Sequence, residues 1–222
     1  MLVGVVLLRL TLSGTYERYV RVGMRPWLIT AGIVVLLLGA VTLVRALRTG
    51  QDHGHDHDHD HEHGVGVGWL LLAPIAALLL VAPPTLGSYG VERGARVDVR
   101  AGAPVFSRLP HRAAPLPMTL LEFSQRAFDH SGLSFNGNTV RLTGFVASSK
   151  GTGFEIARYQ IACCAADAIP VVVHVVGTAG ASPGRDGWVA VTGKFRKGGH
   201  GEIPDLVATS VVALPAPEDP YE

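Results

Sequence analysis

What the chain lacks narrows its chemistry before any motif is read. Charge is nearly balanced, with 19 Lys and Arg against 18 Asp and Glu in 222 residues, so no general nucleic-acid-binding surface is expected. Cysteine occurs only as one neighbouring pair, Cys163 and Cys164, which excludes the Cys-x-x-Cys spacing of thiol oxidoreductases. There is no Gly-x-Ser-x-Gly nucleophile elbow with a Ser-His-Asp order, and no phosphate loop. These absences argue against an enzyme. Aromatics are sparse. Phe145, Phe154, Tyr159, Trp188 and Phe195 stand near Arg141, Arg158, Lys194, Arg196 and Lys197, a composition that can stack bases, yet packing of a small barrel accounts for them and no nucleic-acid partner is expected.

What the chain has in excess is local apolar sequence. Pro26 to Val44 is a run of 19 uncharged residues between Arg25 and Arg45; at about 1.5 Å per residue it matches a hydrocarbon core of about 30 Å. A second uncharged stretch, Val65 to Leu86, begins near Trp69, is interrupted by Pro74 and closes on Pro83-Pro84; a proline kink is compatible with a bilayer helix. Residues 1–15 are a short first span, because Arg9 follows the apolar start and arginine at a helix centre costs about 2.5 to 3.5 kcal/mol on insertion scales. The expectation is two to three transmembrane helices, at about 1–15, 26–44 and 65–86, forming a transmembrane region 1–86 in contact with the lipid bilayer. Arg18, Arg21 and Arg25 precede the strong helix, Arg45 and Arg48 follow it, and Arg93, Arg96 and Arg100 follow the third span. By the positive-inside rule this orients the 18–25 loop and the C-terminal portion toward the cytoplasm, in a multi-pass protein of the bacterial inner membrane.

Between the second and third spans lies Gln51 to Gly64, in which His53, His55, His57, His59, His61 and His63 alternate with acids or glycine. Neutral imidazole is a common ligand for zinc and similar divalent cations, and the carboxylates raise the local cation concentration. Alternation fixes no single geometry, and no scaffold holds four ligands in a tetrahedron. The tract therefore reads as a multivalent cation-attracting loop, against the plainer reading of a solvated linker.

The remainder reads as soluble. Residues 87–117 resemble a tether. Thr119-Leu-Leu-Glu122 is a capping box opening a helix to about His130, with Leu120, Phe123 and Ala127 on one face. Five β-rich segments follow, 139–147, 153–163, 170–176, 187–196 and 206–214, separated by Gly and Pro clusters. Gly144 and Gly193 inside two of them suit the sharply bent wall of a small barrel. The fold class expected is a membrane-anchored α + β protein, its soluble part an OB-like β-barrel domain over 118–215 with a tail at 216–222.

The sharpest motif in that domain is Arg158-Tyr-Gln-Ile-Ala-Cys163-Cys164-Ala-Ala-Asp167-Ala-Ile-Pro170. Neighbouring residues in a strand face opposite ways, so a shared cation or a disulfide requires the backbone to leave strand geometry. The readings are a soft-metal site of Cys163, Cys164 and Asp167 with His174 or His200, a reactive thiol pair, or two buried small residues with Asp167 capping a turn.

These motifs together carry a resemblance. The short apolar start, the arginine-bearing loop, the strong helix, the His/Asp tract, the helix ending at Pro83-Pro84, then Phe154-Glu-Ile-Ala-Arg158, Cys163-Cys-Ala-Ala-Asp-Ala168, Trp188-Val-x-Val-x-Gly193 and Pro217-Glu-Asp-Pro-Tyr-Glu222 are similar to the YcgQ-like family of bacterial two-component membrane permease subunits. The resemblance implies a small membrane protein that works with a separate multi-span permease subunit. It supplies no catalytic residue. The expected function is a non-enzymatic accessory subunit linked to handling of zinc or another divalent cation; the alternatives are a membrane-anchored thiol-redox enzyme or a free-standing metal-binding protein.

Overall fold

The computed structural model describes residues 2–49, 86–93, 105–149, 153–177, 184–198 and 202–222. The His tract at 51–64, the expected span over 65–86 except Leu86, and His200 lie outside the described residues. The chain divides into two compact units, Met1–Tyr16 with Gly23–Thr85, and Glu17–Val22 with Leu86–Glu222.

The first unit contains α1 (Leu2–Leu12) and α2 (Arg25–Thr49). Within Val22–Arg48 the most apolar 18-residue window has a mean hydropathy of 2.5 and is only 6% buried, and among the described residues this is the one helix long and apolar enough to cross a membrane. The two helices pack antiparallel through small residues. A Cβ on Gly4 would meet Leu36 Cγ at 2.8 Å and Gly32 O at 2.9 Å, and one on Gly32 would meet Leu8 at 2.9 Å, the close backbone approach that glycine permits between apolar helices.

The second unit is built on a six-stranded sheet: β1 (Leu116–Pro117), β2 (Thr139–Ser148), β3 (Gly153–Gln160), β4 (Ile169–Val176), β5 (Trp188–Arg196) and β6 (Asp205–Leu214). The order is β1-β2-β3-β4-β6-β5, and β5 pairs back onto β2. Pairing is antiparallel except β4 with β6 and β1 with β2. Each of the five long strands therefore has a neighbour on both sides. Gly193 marks a register shift in the β5–β6 ladder, where a Cβ would stand 2.2 Å from Val207 O, so the close approach of β6 requires glycine.

Helix α4 (Leu120–Phe128) lies over one end of this sheet, after α3 (Ser88–Arg93) earlier in the chain. Leu120 and Phe123 are fully buried and join Val140, Leu142, Ile156, Val173, Val189 and Leu206 in the main core. A second cluster gathers Phe145, Tyr159, Trp188, Val91 and Tyr221. Phe145, Phe154, Tyr159 and Trp188 are thus interior side chains, and Phe195 stacks on Phe135 at 4.8 Å.

Three local expectations change. The capping box is half formed: Thr119 Oγ1 accepts from the Glu122 N–H at 3.1 Å, but the Glu122 carboxylate turns to Arg126 at 2.8 Å, and Glu222 accepts from the Leu120 N–H at 3.2 Å. The helix-start carboxylate thus comes from a residue remote in sequence. The segment expected as a tether is partly ordered onto the domain, for Ser88 N–H donates to Asp186 at 2.6 Å, Tyr159 Oη donates to Gly87 O at 2.9 Å, and Phe106 N–H donates to Asp129 at 3.0 Å. The segment expected as a tail is docked as well, because Tyr221 bridges to Tyr159 in parallel fashion and both are buried.

Candidate metal centre

Strand β3 ends at Gln160, three residues before the double cysteine, and Ala165–Asp167 forms a 3-10 turn. The pair therefore sits in a loop that has left strand geometry. Cys164 remains extended, at φ −153° and ψ 170°. Cys163 is exposed and Cys164 half-buried, both as free thiols, which removes the reading of two buried packing residues.

Asp167 organises this loop. Its Oδ1 accepts from the Ala162 N–H at 2.9 Å, and its Oδ2 from the Cys163 N–H at 2.9 Å and the Cys164 N–H at 3.4 Å. The Cys163 thiol donates to the same Oδ2 at 3.0 Å. These bonds have opposite effects on acid and thiol. The hydrogen bond from the Cys163 thiol, followed by those from the Cys163 and Ala162 amides, holds Asp167 down at about 2. The same bond to Asp167, reinforced by the Cys164 thiol, pushes Cys163 up to about 11. Near neutral pH Cys163 keeps its proton.

Cys163 Sγ, Cys164 Sγ and an Asp167 oxygen all lie within 4.8 Å of one another. About 2.3 Å for zinc to sulfur and about 2.0 Å to a carboxylate, at tetrahedral angles, separate sulfur from oxygen by about 3.5 Å and two sulfurs by about 3.8 Å. The 3.0 Å S–H···O contact therefore widens by about 0.5 Å when a cation replaces the proton, a side-chain adjustment. The donor set fits a soft or borderline cation with one coordination position left open.

The histidines do not complete this set among the described residues. His174 Nδ1 is 2.9 Å from the Asp205 carboxylate, which also takes two hydrogen bonds from Arg196. Asp205 is fully buried. Burial pushes its pKa upward, but the Arg196 and His174 hydrogen bonds outweigh this and hold it low. This is a structural ion cluster bridging β4, β5 and β6 rather than part of the thiol loop.

Sequence reasoning missed a second partner of the loop. Residues Glu17–Val22, which connect α1 to α2, belong to the same compact unit as the sheet. Arg21 N–H donates to Cys163 O at 3.1 Å, Ala165 N–H donates to Tyr19 O at 2.7 Å, and Val20 and Cys164 form an antiparallel bridge between those bonds. Tyr221 Oη donates to Arg18 O at 2.5 Å. No local pattern signals such pairing across more than a hundred residues; the alternation around Val20 is too short to read as a strand.

Fold and site define a class: an apolar helical part joined to a six-stranded sheet domain that presents a thiol–thiol–carboxylate loop. The chain belongs to the DUF1980 family, whose N-terminal domain matches residues 1–94 and whose C-terminal domain matches residues 126–222, in agreement with the YcgQ-like resemblance of its motifs. No curated protein matches it. Among solved structures it is similar to the telomere capping protein Ten1 from Saccharomyces pombe, with 14% identity over 45% of this chain and 81% of that one at a TM-score of 0.28. It is also similar to a chain of the S. pombe Stn1–Ten1 complex, with 13% identity over 46% and 79% at a TM-score of 0.30.

Proposed function

We propose that this protein is a non-enzymatic accessory subunit of a bacterial membrane permease complex, in which the Cys163–Cys164–Asp167 loop takes zinc or a similar divalent cation. The observation that carries the reading is the convergence of two thiols and a carboxylate within 4.8 Å on an accessible loop. A thiol enzyme is less well supported, because the exposed Cys163 donates its proton to a carboxylate that already holds three amides rather than facing a base that would take it. The six histidines of the 51–64 tract gather cations near the membrane in this reading.

The membrane part rests on the exposed apolar run Val22–Arg48 and on the antiparallel packing of α1 against α2. With 65–86 as a third span, the protein is multi-pass. The docking of Glu17–Val22 on the domain supports an arrangement in which the loop between the first two helices and the C-terminal domain share one face of the membrane, the cytoplasmic one by the arginine count. The strand order and the β4–β6 parallel pair support an OB-like barrel.

Zinc titration of purified full-length protein, compared with Cys163→Ala, Cys164→Ala and Asp167→Ala variants in a background where the six tract histidines are Ser, tests the cation reading. Stoichiometric binding with proton release in the parent, lost in the cysteine variants, is expected. Equal binding by all of them overturns it. Affinity purification from membranes tests the permease partner.

A further inference from the structure

Backbone accounting around the double cysteine leads to the connection between the two N-terminal helices. Cys163 donates its amide to Asp167 and its carbonyl accepts from Arg21; the Cys164 amide goes to Asp167 and its carbonyl accepts from the Asp167 N–H at 3.0 Å; Ala165 donates to Tyr19. Two carriers thus fix the loop that displays the thiols, the Asp167 carboxylate from within and the Glu17–Val22 strap from outside. The strap holds the loop's outer edge on both sides of Cys164.

We propose that docking of the Glu17–Val22 strap preorganises the thiol loop for its cation, so that cation binding and strap docking reinforce one another and occupancy of the site is communicated to the segment joining α1 and α2. This rests on the cation reading above and names its regulation. The physical basis is preorganisation. The three donor atoms converge with the strap in place, so a cation binding this state meets a loop whose conformational freedom is already lost; an undocked loop must be ordered at the cation's expense. Thermodynamic reciprocity then requires that the cation tighten the strap by the same factor. Because Tyr16 and Gly23 continue the chain on either side of the strap, a change in its docking alters the tether of both helices.

The decisive substitution is Arg21→Pro, which deletes the N–H that bonds Cys163 O while keeping Val20 extended. Arg21→Ala keeps that N–H and serves as its comparison. The probe is cadmium added to full-length protein in detergent and read by the ultraviolet charge-transfer absorption of the cadmium–thiolate bond, which the His tract cannot contribute. Arg21→Pro is expected to weaken cadmium binding at least about fivefold, with Arg21→Ala close to wild type. In the wild type, hydrogen exchange of peptides covering residues 17–22 is expected to slow when cadmium is added, and to be unaffected in a Cys163→Ser, Cys164→Ser protein. That second measurement needs no strap substitution and so does not depend on how the proline variant folds. A thiolate band with unchanged exchange in the strap, or equal loss of affinity in Arg21→Pro and Arg21→Ala, overturns the coupling and leaves the cation site standing. Absence of a thiolate band in the wild type overturns the cation site itself, and the coupling with it.

Discussion

Tyr221 offers the clearest test of how the last residues are held, because its ring and its hydroxyl do separate things. The ring is 4% exposed and packs in the cluster of Phe145, Tyr159, Trp188 and Val91. The hydroxyl donates to Arg18 O in the strap. Tyr221→Phe keeps the packing and removes the hydroxyl's bonds to Arg18 O and to the Leu86 backbone, at a cost of about 1 to 3 kcal/mol for the two. Tyr221→Ala also removes the buried ring, a change that costs about 3 to 5 kcal/mol for aromatic side chains. In a unit of this size each kcal/mol moves the thermal midpoint by about 2 to 4 °C, so the expected losses are about 2 to 12 °C for Phe and about 6 to 20 °C for Ala. Thermal unfolding of the full-length protein in detergent, followed by near-ultraviolet circular dichroism, measures both. The order matters more than either value. Equal losses would mean that ring burial contributes nothing, and a neutral Tyr221→Ala would mean that residues 216–222 are the free tail expected from sequence.

Three further outcomes are expected. Gly193→Ala forces a Cβ within 2.2 Å of Val207 O and destabilises the domain by about 1 to 3 kcal/mol, measured by the same melt; a neutral result contradicts the β5–β6 approach. The Asp167–thiol bond, with the Cys164 thiol and the loop amides behind it, raises the folded pKa of Cys163 from 9.0 to about 11 and lowers that of Asp167 from 3.8 to about 2, so the stabilisation is complete between those ordinary values, lost on the alkaline side as pH rises through about 11 and on the acid side as it falls through about 2. In a Cys164→Ser background, the alkylation midpoint of Cys163 should fall toward 9.0 when Asp167 becomes Asn, and an unmoved midpoint contradicts the bond. Replacing the six tract histidines by Ser lowers zinc uptake but leaves the domain's midpoint within about 1 °C, since substitutions remote from packed features stay within about 0.5 kcal/mol; a larger loss places the tract inside the fold.

Local composition made the elements legible, and it failed where contacts are remote. The β-rich segments at 139–147 and 187–196 became β2 and β5 almost residue for residue, because β-branched and aromatic runs bounded by Gly clusters leave a local imprint even where, as at Trp188–Val191, every position is buried. The segment at 153–163 ran past its end, since Ile161, Ala162 and the cysteines carry strand-like composition while Asp167 draws their amides into a turn. The α2 helix extends beyond 26–44 to Arg25–Thr49, for charged residues at a helix end do not break its hydrogen bonding. At the site, Cys163, Cys164 and Asp167 were legible from spacing alone and the structure brings them together. The strap was not, nor was Glu222 at the start of α4, because each acts through hydrogen bonds to distant backbone that leave no spacing in the sequence.

The pairing of β5 back onto β2 limits how this domain can recruit another protein. An open sheet offers a lateral row of unsatisfied N–H and C=O groups onto which a partner's extended segment can be added, and the same row invites self-aggregation. Here β2 and β5 are joined over seven residue pairs, from Thr139–Lys194 to Phe145–Trp188, so strand addition at that seam would require displacing a native ladder, whereas β4 and β6 meet over only three pairs, His174–Asp205 to Val176–Val207. Along the β2–β5 seam a binding partner must instead grip side chains and loops, whose identity can diverge while the scaffold stays fixed, and of the loops described none combines accessibility with reactive chemistry as the one carrying Cys163 does.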